Sequence, residues 1–309
     1  MSASPTGAPT PRAAGNIYDL GYQGYDGPRL GRAAVTRSLL GMTLRAAYGI
    51  GRGGRAKIAP FTLAVLAVLP ALLAVGIAAL ASQAGAGDEF ADASPIRHDT
   101  YVGLTSTLVM LFCAAQAPEL FGRDQRYGVL PLFFSRVLTR TDYALARVGG
   151  LFLAVFAMSL LPQVVLTIGG ILAAADPVTG ISEELVHIPR YLLVTGLAAG
   201  LLTGVGAVIA AWTPRRAYAT AAIIAVFIVP TVIVAIIATR AMGDLARILL
   251  LLSPGDLIDG LNAAVFETLP ESPAVLAADF PGWVYIAATV IGIVAMVAVV
   301  WRRYQRIDA

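Results

Sequence analysis

The chain has 309 residues, 58% hydrophobic and only 13% charged, with a net charge of +3. Ordinary soluble domains carry roughly 25% charged residues, so a solvated globular surface is excluded for most of this chain. One cysteine, Cys113, excludes intrachain disulfides and thiolate metal clusters, and the one lysine, Lys57, lacks the preceding glycine of a phosphate-binding loop.

Residues 1–28 are rich in Pro, Ala, Gly and Ser and are expected to form a flexible tail; the first 57 residues show no apolar core of a secretory signal. Residues 29–57 predict an amphipathic helix lying in the membrane surface. Val35, Leu39, Met42 and Ala46 share its apolar face, and Arg32, Arg37, Arg45 and Arg52 can reach headgroup phosphates. A merely basic juxtamembrane linker is the other reading. The run Gly49 to Arg55 is flexible enough to turn the chain into a first span.

Six apolar runs then reach the length that a bilayer requires: 58–82, 100–117, 148–175, 191–213, 217–239 and 283–301. None contains Asp, Glu, Lys, Arg or His, and their polar groups are hydroxyls, Gln116 and Gln163. An uncharged interior argues against ion-driven transport, which needs buried titratable groups. Pro162 and Pro230 predict kinks. Gly196, Gly200 and Gly204 recur at every fourth position of the fourth span and predict close helix packing, within the protomer or at a subunit interface.

Between the spans, His98 and His187 read as isolated residues of external loops. The stretch Asp256 to Gly260 has the look of a paired-aspartate metal site, but Ser253-Pro254-Gly255-Asp256 reads better as a helix start, with Leu257, Leu261 and Val265 on one apolar face. No catalytic constellation emerges. The chain is expected to be no enzyme.

Residues 118–147 are the densest in charge, with five arginines and three acids. A plain connection could be about five residues long. This one is far longer and interleaves Val129, Leu130, Leu132, Phe133 and Phe134 with its charges, as short interfacial helices that dock a partner would. A solvated loop is the alternative. If both termini share a side with it, that side holds 18 Lys and Arg against four on the other. Lys and Arg collect in cytoplasmic loops, so the termini and 118–147 are expected in the cytoplasm.

This stretch resembles the permease subunits of type 2 ABC transporters, mostly bacterial exporters. The resemblance rests on Glu119, Arg123, Gly128-Val129-Leu130, the run Ser135 to Arg140, Tyr143 and Arg147, with Val137 standing where proline is usual. It implies an all-α integral membrane protein of six transmembrane helices preceded by an amphipathic elbow helix (29–57), a six-helix domain over 58–301, and a tail at 302–309. Residues 118–147 would be the coupling loop on a cytoplasmic ATPase, with Glu119, Arg123, Asp124 and Arg126 on one limb and Arg136, Arg140, Asp142 and Arg147 on the other. Residues 240–281 would be an external re-entrant segment. ATP and magnesium would sit on the partner, so no cofactor is expected in this chain. The implied partners are the ATPase, a second permease (homo- or heterodimer) and membrane lipids, with no nucleic acid, in a bacterial plasma membrane. The cargo would be hydrophobic or amphipathic. A secondary transporter, or an intramembrane enzyme without recognisable motifs, is the alternative.

Within the coupling loop, Glu119 is expected to pair with Arg123 one turn on, and Arg136 and Arg140 to share one helical face toward the partner.

Overall fold

The structure, a computed structural model, describes residue 27 and residues 31–85, 94, 96–134, 138–174, 176–238 and 243–307. The expected flexible tail therefore lies outside the described residues except for Gly27. The compact unit runs from Gly31 onward, and no strand occurs among its described residues.

Helix α1 (Arg32–Ala47) packs along α5 (Arg140–Ala173). The residues it buries are Leu39, Thr43 and Ala47. Of the expected apolar face, Leu39 is buried against the protein and Met42 is half exposed, while Thr43 takes a buried position on the packed side. Two features allow a polar residue there. The Thr43 hydroxyl donates to the Leu39 carbonyl at 2.7 Å, and Gly150 of α5 leaves it room: a Cβ on Gly150 would lie 2.5 Å from the Thr43 Cβ. The helix also ends ten residues before position 57, at a turn where Gly49 adopts φ +70. A side chain at Gly49 would in addition meet the Ala56 carbonyl oxygen at 2.6 Å, so only glycine fits.

Among the described residues, six helices are long and apolar enough to cross a membrane: α2 (Arg55–Gln83), α3 (His98–Arg126), α5, α6 (Pro177–Trp212), α7 (Arg216–Ala238) and α11 (Gly282–Gln305). The chain is a multi-pass, all-helical membrane protein. Helix α4 (Leu130–Phe134) lies between α3 and α5. Helices α8 (Asp244–Leu251), α9 (Pro254–Phe266) and α10 (Pro273–Ala278) precede α11. α3, α5 and α6 form the centre of the bundle, whereas α2, α7 and α11 leave most of their apolar surface exposed, as lipid-facing helices do.

The helices overrun the apolar runs that predict them. At 1.5 Å per residue α6 is about 54 Å long, well beyond the roughly 30 Å hydrocarbon layer, so Glu183, Glu184, His187 and Arg190 ride on its first turns. Gly200 and Gly204 face α11: a Cβ would come within 2.8 Å of Ile293 and 2.7 Å of Met296. Gly196 has no such neighbour, its nearest atom being on Phe156 at 3.8 Å.

Before α11, α8 and α9 meet at 88°. Ser253 is the N-cap of α9 as the sequence predicts, but its hydroxyl lies 2.9 Å from that of Thr231 on α7 and does not cap the helix. Leu257 and Leu261 are buried, Val265 partly so. Asp256 is buried too and accepts from the Ser272 hydroxyl at 3.0 Å, while Asp259 accepts from the backbone N–H groups of Glu271 and Ser272. Both aspartates thus hold the chain that leads to α10. Partial burial, and then the charges of Asp259 and Asp99, push the Glu271 carboxyl above its usual range.

Candidate functional site

The charged link between α3 and α5 is a folded element with defined ends. α3 closes in a turn where Gly128, at φ +62, lets its N–H bond the Gln125 carbonyl at 3.2 Å and the Val129 N–H bond that of Asp124 at 3.1 Å. That pairing satisfies carbonyls a helix end leaves open. α5 opens with Thr139 as N-cap. Its hydroxyl accepts from the Asp142 N–H at 3.2 Å, while Asp142 accepts from the Thr139 N–H at 3.1 Å.

Charge then fixes the element to its neighbours. Arg32 of α1 makes a two-pronged contact with Asp142, at 2.6 and 3.0 Å, and donates to Thr139 at 3.1 Å. The hydrogen bond to Asp142, and secondarily its charge, raises the Arg32 pKa above the ordinary value. Arg147 pairs with Asp124 and donates to Thr43 at 3.3 Å, and Asp124 also accepts from the Tyr143 hydroxyl at 2.6 Å. Arg147 is only 5% exposed. A charge pair is therefore largely buried beside the spans, and the carboxylate of Asp124 is engaged by Arg147 and Tyr143. Asp142 is likewise committed to capping and to Arg32.

Glu119 does not pair with Arg123. It accepts from Arg52 at 2.6 Å and lies 3.6 Å from Arg216, because its side chain points to the turn between α1 and α2 while Arg123 faces outward. The expected shared face of Arg136 and Arg140 falls partly outside the described residues. α4 stops at Phe134 and α5 starts at Arg140, whose guanidinium donates to the Gln305 carbonyl at 2.9 Å and lies over Phe134. Arg136 is outside the described residues. At the tip remain Arg123, Arg126 and Tyr127, all exposed, and the exposed apolar side chain of Leu132.

Beside this tip runs an open groove of about 1360 Å³ between α1, the end of α3 and α4, continued by a second hollow of about 690 Å³ under the glycine turn. Arginine supplies the positive charge of its walls, through Arg37, Arg45, Arg52, Arg123 and Arg147 in the larger hollow.

Sequence reasoning also missed a polar cluster at the other end of α3. His98, expected to be isolated, is buried. It stacks on His187 at 5.4 Å and on Tyr191 at 5.2 Å. Its Nδ1 lies 2.6 Å from Gln163 Oε1 and its Nε2 3.0 Å from Glu184 Oε2, and the Gln163 amide donates to the His98 carbonyl at 3.0 Å. Both ring nitrogens thus lie within hydrogen-bond distance of side-chain oxygens. Gln163 was the available signal, since an amide inside an apolar run must find a partner. No group of metal-ligating side chains occurs among the described residues. The chain matches no known protein-family model and no curated protein.

Proposed function

We propose that this chain is the membrane-spanning permease subunit of an ATP-driven transporter of the ABC type, seated on a separate cytoplasmic ATPase through the tip of the α3–α5 link. The carrying observation is the construction of that link. A loop that only connects two spans needs neither a closed helix end, nor a capping box, nor three ion pairs to α1, the α1–α2 turn and α5. A lever does. The tip offers Arg123, Arg126, Tyr127 and Leu132 to a partner, while Asp124, Asp142 and Arg147 fasten the link to helices that would have to move. In this reading α1 is the elbow helix, 240–281 the external gate, and the exposed faces of α2 and α7 receive a second permease. Export of a hydrophobic or amphipathic cargo follows from the family resemblance, and the plasma membrane with cytoplasmic termini follows from the distribution of arginine.

The test is co-expression with an ABC-type ATPase chain, the first choice being any such chain encoded beside this gene. Arg123→Glu with Arg126→Glu should insert and melt like the parent, because exposed charge changes cost within about 0.5 kcal/mol, yet lose co-purification and transport-stimulated ATP hydrolysis. Normal association and transport in that variant would sink the proposal.

One observation favours a second reading, a proton-coupled secondary transporter: the buried His98, Gln163 and Glu184 cluster. Uptake into proteoliposomes driven by a pH gradient without ATP, and lost in His98→Asn, would support it over the first.

A further inference from the structure

The two hollows beside the tip share Arg52, Glu119, Arg123 and Tyr127 and act as one groove. Its acids are already used: Glu119 holds Arg52, and Asp124 holds Arg147. Five further arginines reach it, Arg37, Arg45, Arg55, Arg123 and Arg126, and none has an ion-pair partner among the described residues. Arg147 lines the groove as well, and its buried Nε–H has no hydrogen-bond acceptor. The groove therefore has more donors and more positive charge than its own acids can satisfy. A concave surface of one sign focuses its field and concentrates counter-ions.

The remaining wall is hydrocarbon. Met42 and Ile50 are half exposed along the groove, and Ile58 and Phe61 on the first turns of α2 are exposed as well. At the entrance α2 starts with no acid in its first turn and no capping side chain, so its positive end stays uncompensated.

We infer that this groove binds an anionic phospholipid, with the headgroup phosphate among Arg37, Arg45, Arg52 and Arg55 and the acyl chains against Met42, Ile50 and the outer face of α2. Free phosphate would use the arginines but leave the apolar wall bare. Guanidinium groups match phosphate oxygens in pairs, which suits a fixed headgroup better than a diffuse surface charge. The inference stands independently of the transporter reading, since it concerns the isolated chain.

The test uses the full chain purified in a neutral detergent, titrated with dioctanoyl-phosphatidylglycerol, dioctanoyl-phosphatidylcholine and inorganic phosphate, and read by native mass spectrometry and calorimetry. Phosphatidylglycerol should bind at defined stoichiometry, and the other two should neither bind nor displace it. Replacing Arg37, Arg45 and Arg55 together by Gln should weaken binding roughly a hundredfold, three cations near a lipid surface each contributing about fivefold. Replacing Arg215, Arg302 and Arg306 by Gln removes the same charge elsewhere and should leave binding within about twofold. Equal losses in the two triple variants would reduce the site to a diffuse basic surface and overturn the proposal. So would phosphatidylcholine binding as well as phosphatidylglycerol, or phosphate displacing the lipid. Folding of the variants does not limit the test, because a ligand of the native state raises the melting temperature of the unaltered chain. No rise with phosphatidylglycerol beyond that with phosphatidylcholine also overturns it.

Discussion

Arg52 and Glu119 meet at 2.6 Å and fasten the glycine turn before α2 to the last turns of α3. Arg216, at the start of α7, lies 3.6 Å from the same carboxylate. One acid therefore joins two helices and the turn between α1 and α2 at one end of the bundle. Its replacement leaves two guanidinium groups facing each other across a partly buried space.

Glu119→Gln keeps the shape and removes the charge. We expect a loss of about 1–3 kcal/mol, below the range for a fully buried pair because Arg216 is half exposed. Arg123→Gln, one turn along the same helix, should change stability by no more than about 0.5 kcal/mol. Thermal unfolding of the purified variants in detergent checks both values. Equal losses would mean that Glu119 leans on Arg123 after all.

Arg147 and Asp124 call for a different experiment, because removing either strands the other inside the protein. Arg147→Met and Asp124→Asn should each cost about 3–5 kcal/mol. The double variant should cost less than their sum by about 1–3 kcal/mol, the coupling expected between residues in direct contact. Simple additivity in chemical unfolding would show that the two charges do not depend on each other.

Much of this architecture is legible in the sequence, for a physical reason. A bilayer demands apolar runs of fixed length, so 58–82 or 191–213 announce their helices without any knowledge of neighbours. What lies beyond the apolar runs is set by partners distant in sequence. Nothing local tells Glu119 to choose Arg52, sixty-seven residues away, over Arg123, four residues away. Thr43 looks like a break in an apolar face until Gly150 of α5 supplies the space. His98 and His187 look like loop residues because helical periodicity is hidden where α3 and α6 leave the membrane. In the α3–α5 link the residue types pointed to an interaction surface, but the charges divide. Asp124, Asp142 and Arg147 serve the interior; Arg123 and Arg126 face out.

The three glycines of α6 read alike in sequence and are not alike in space. Gly196→Ala meets nothing closer than 3.8 Å and should be neutral or stabilise by up to about 1 kcal/mol through helix propensity. Gly200→Ala and Gly204→Ala meet the flexible ends of Ile293 and Met296, which can shift at modest cost. Gly150→Ala on α5 meets the Thr43 Cβ and the Leu40 carbonyl oxygen, which cannot, and should cost about 1–3 kcal/mol. Melting temperatures in the order Gly196→Ala, then Gly200→Ala and Gly204→Ala, then Gly150→Ala are the expected result. A cost at Gly196 equal to that at Gly150 would point to a subunit interface on that face.

The proposed function also requires the link to face the cytoplasm, and the distribution of arginine predicts it. Gly128 is a poor position for a reporter, since its φ of +62 would strain any side chain. Tyr127 and Leu269 are better, being 68% and 83% exposed. Cys113, the sole native thiol, is fully buried, so Cys113→Ala gives a silent background at the cost of a small cavity. In that background Leu269→Cys should react with a membrane-impermeant maleimide on intact cells. Tyr127→Cys should react only after the membrane is permeabilised. Each site controls for the other, since both side chains are exposed. If Tyr127→Cys labels from outside, the link cannot meet a cytoplasmic ATPase. In that event the proton-coupled reading would be the one left standing.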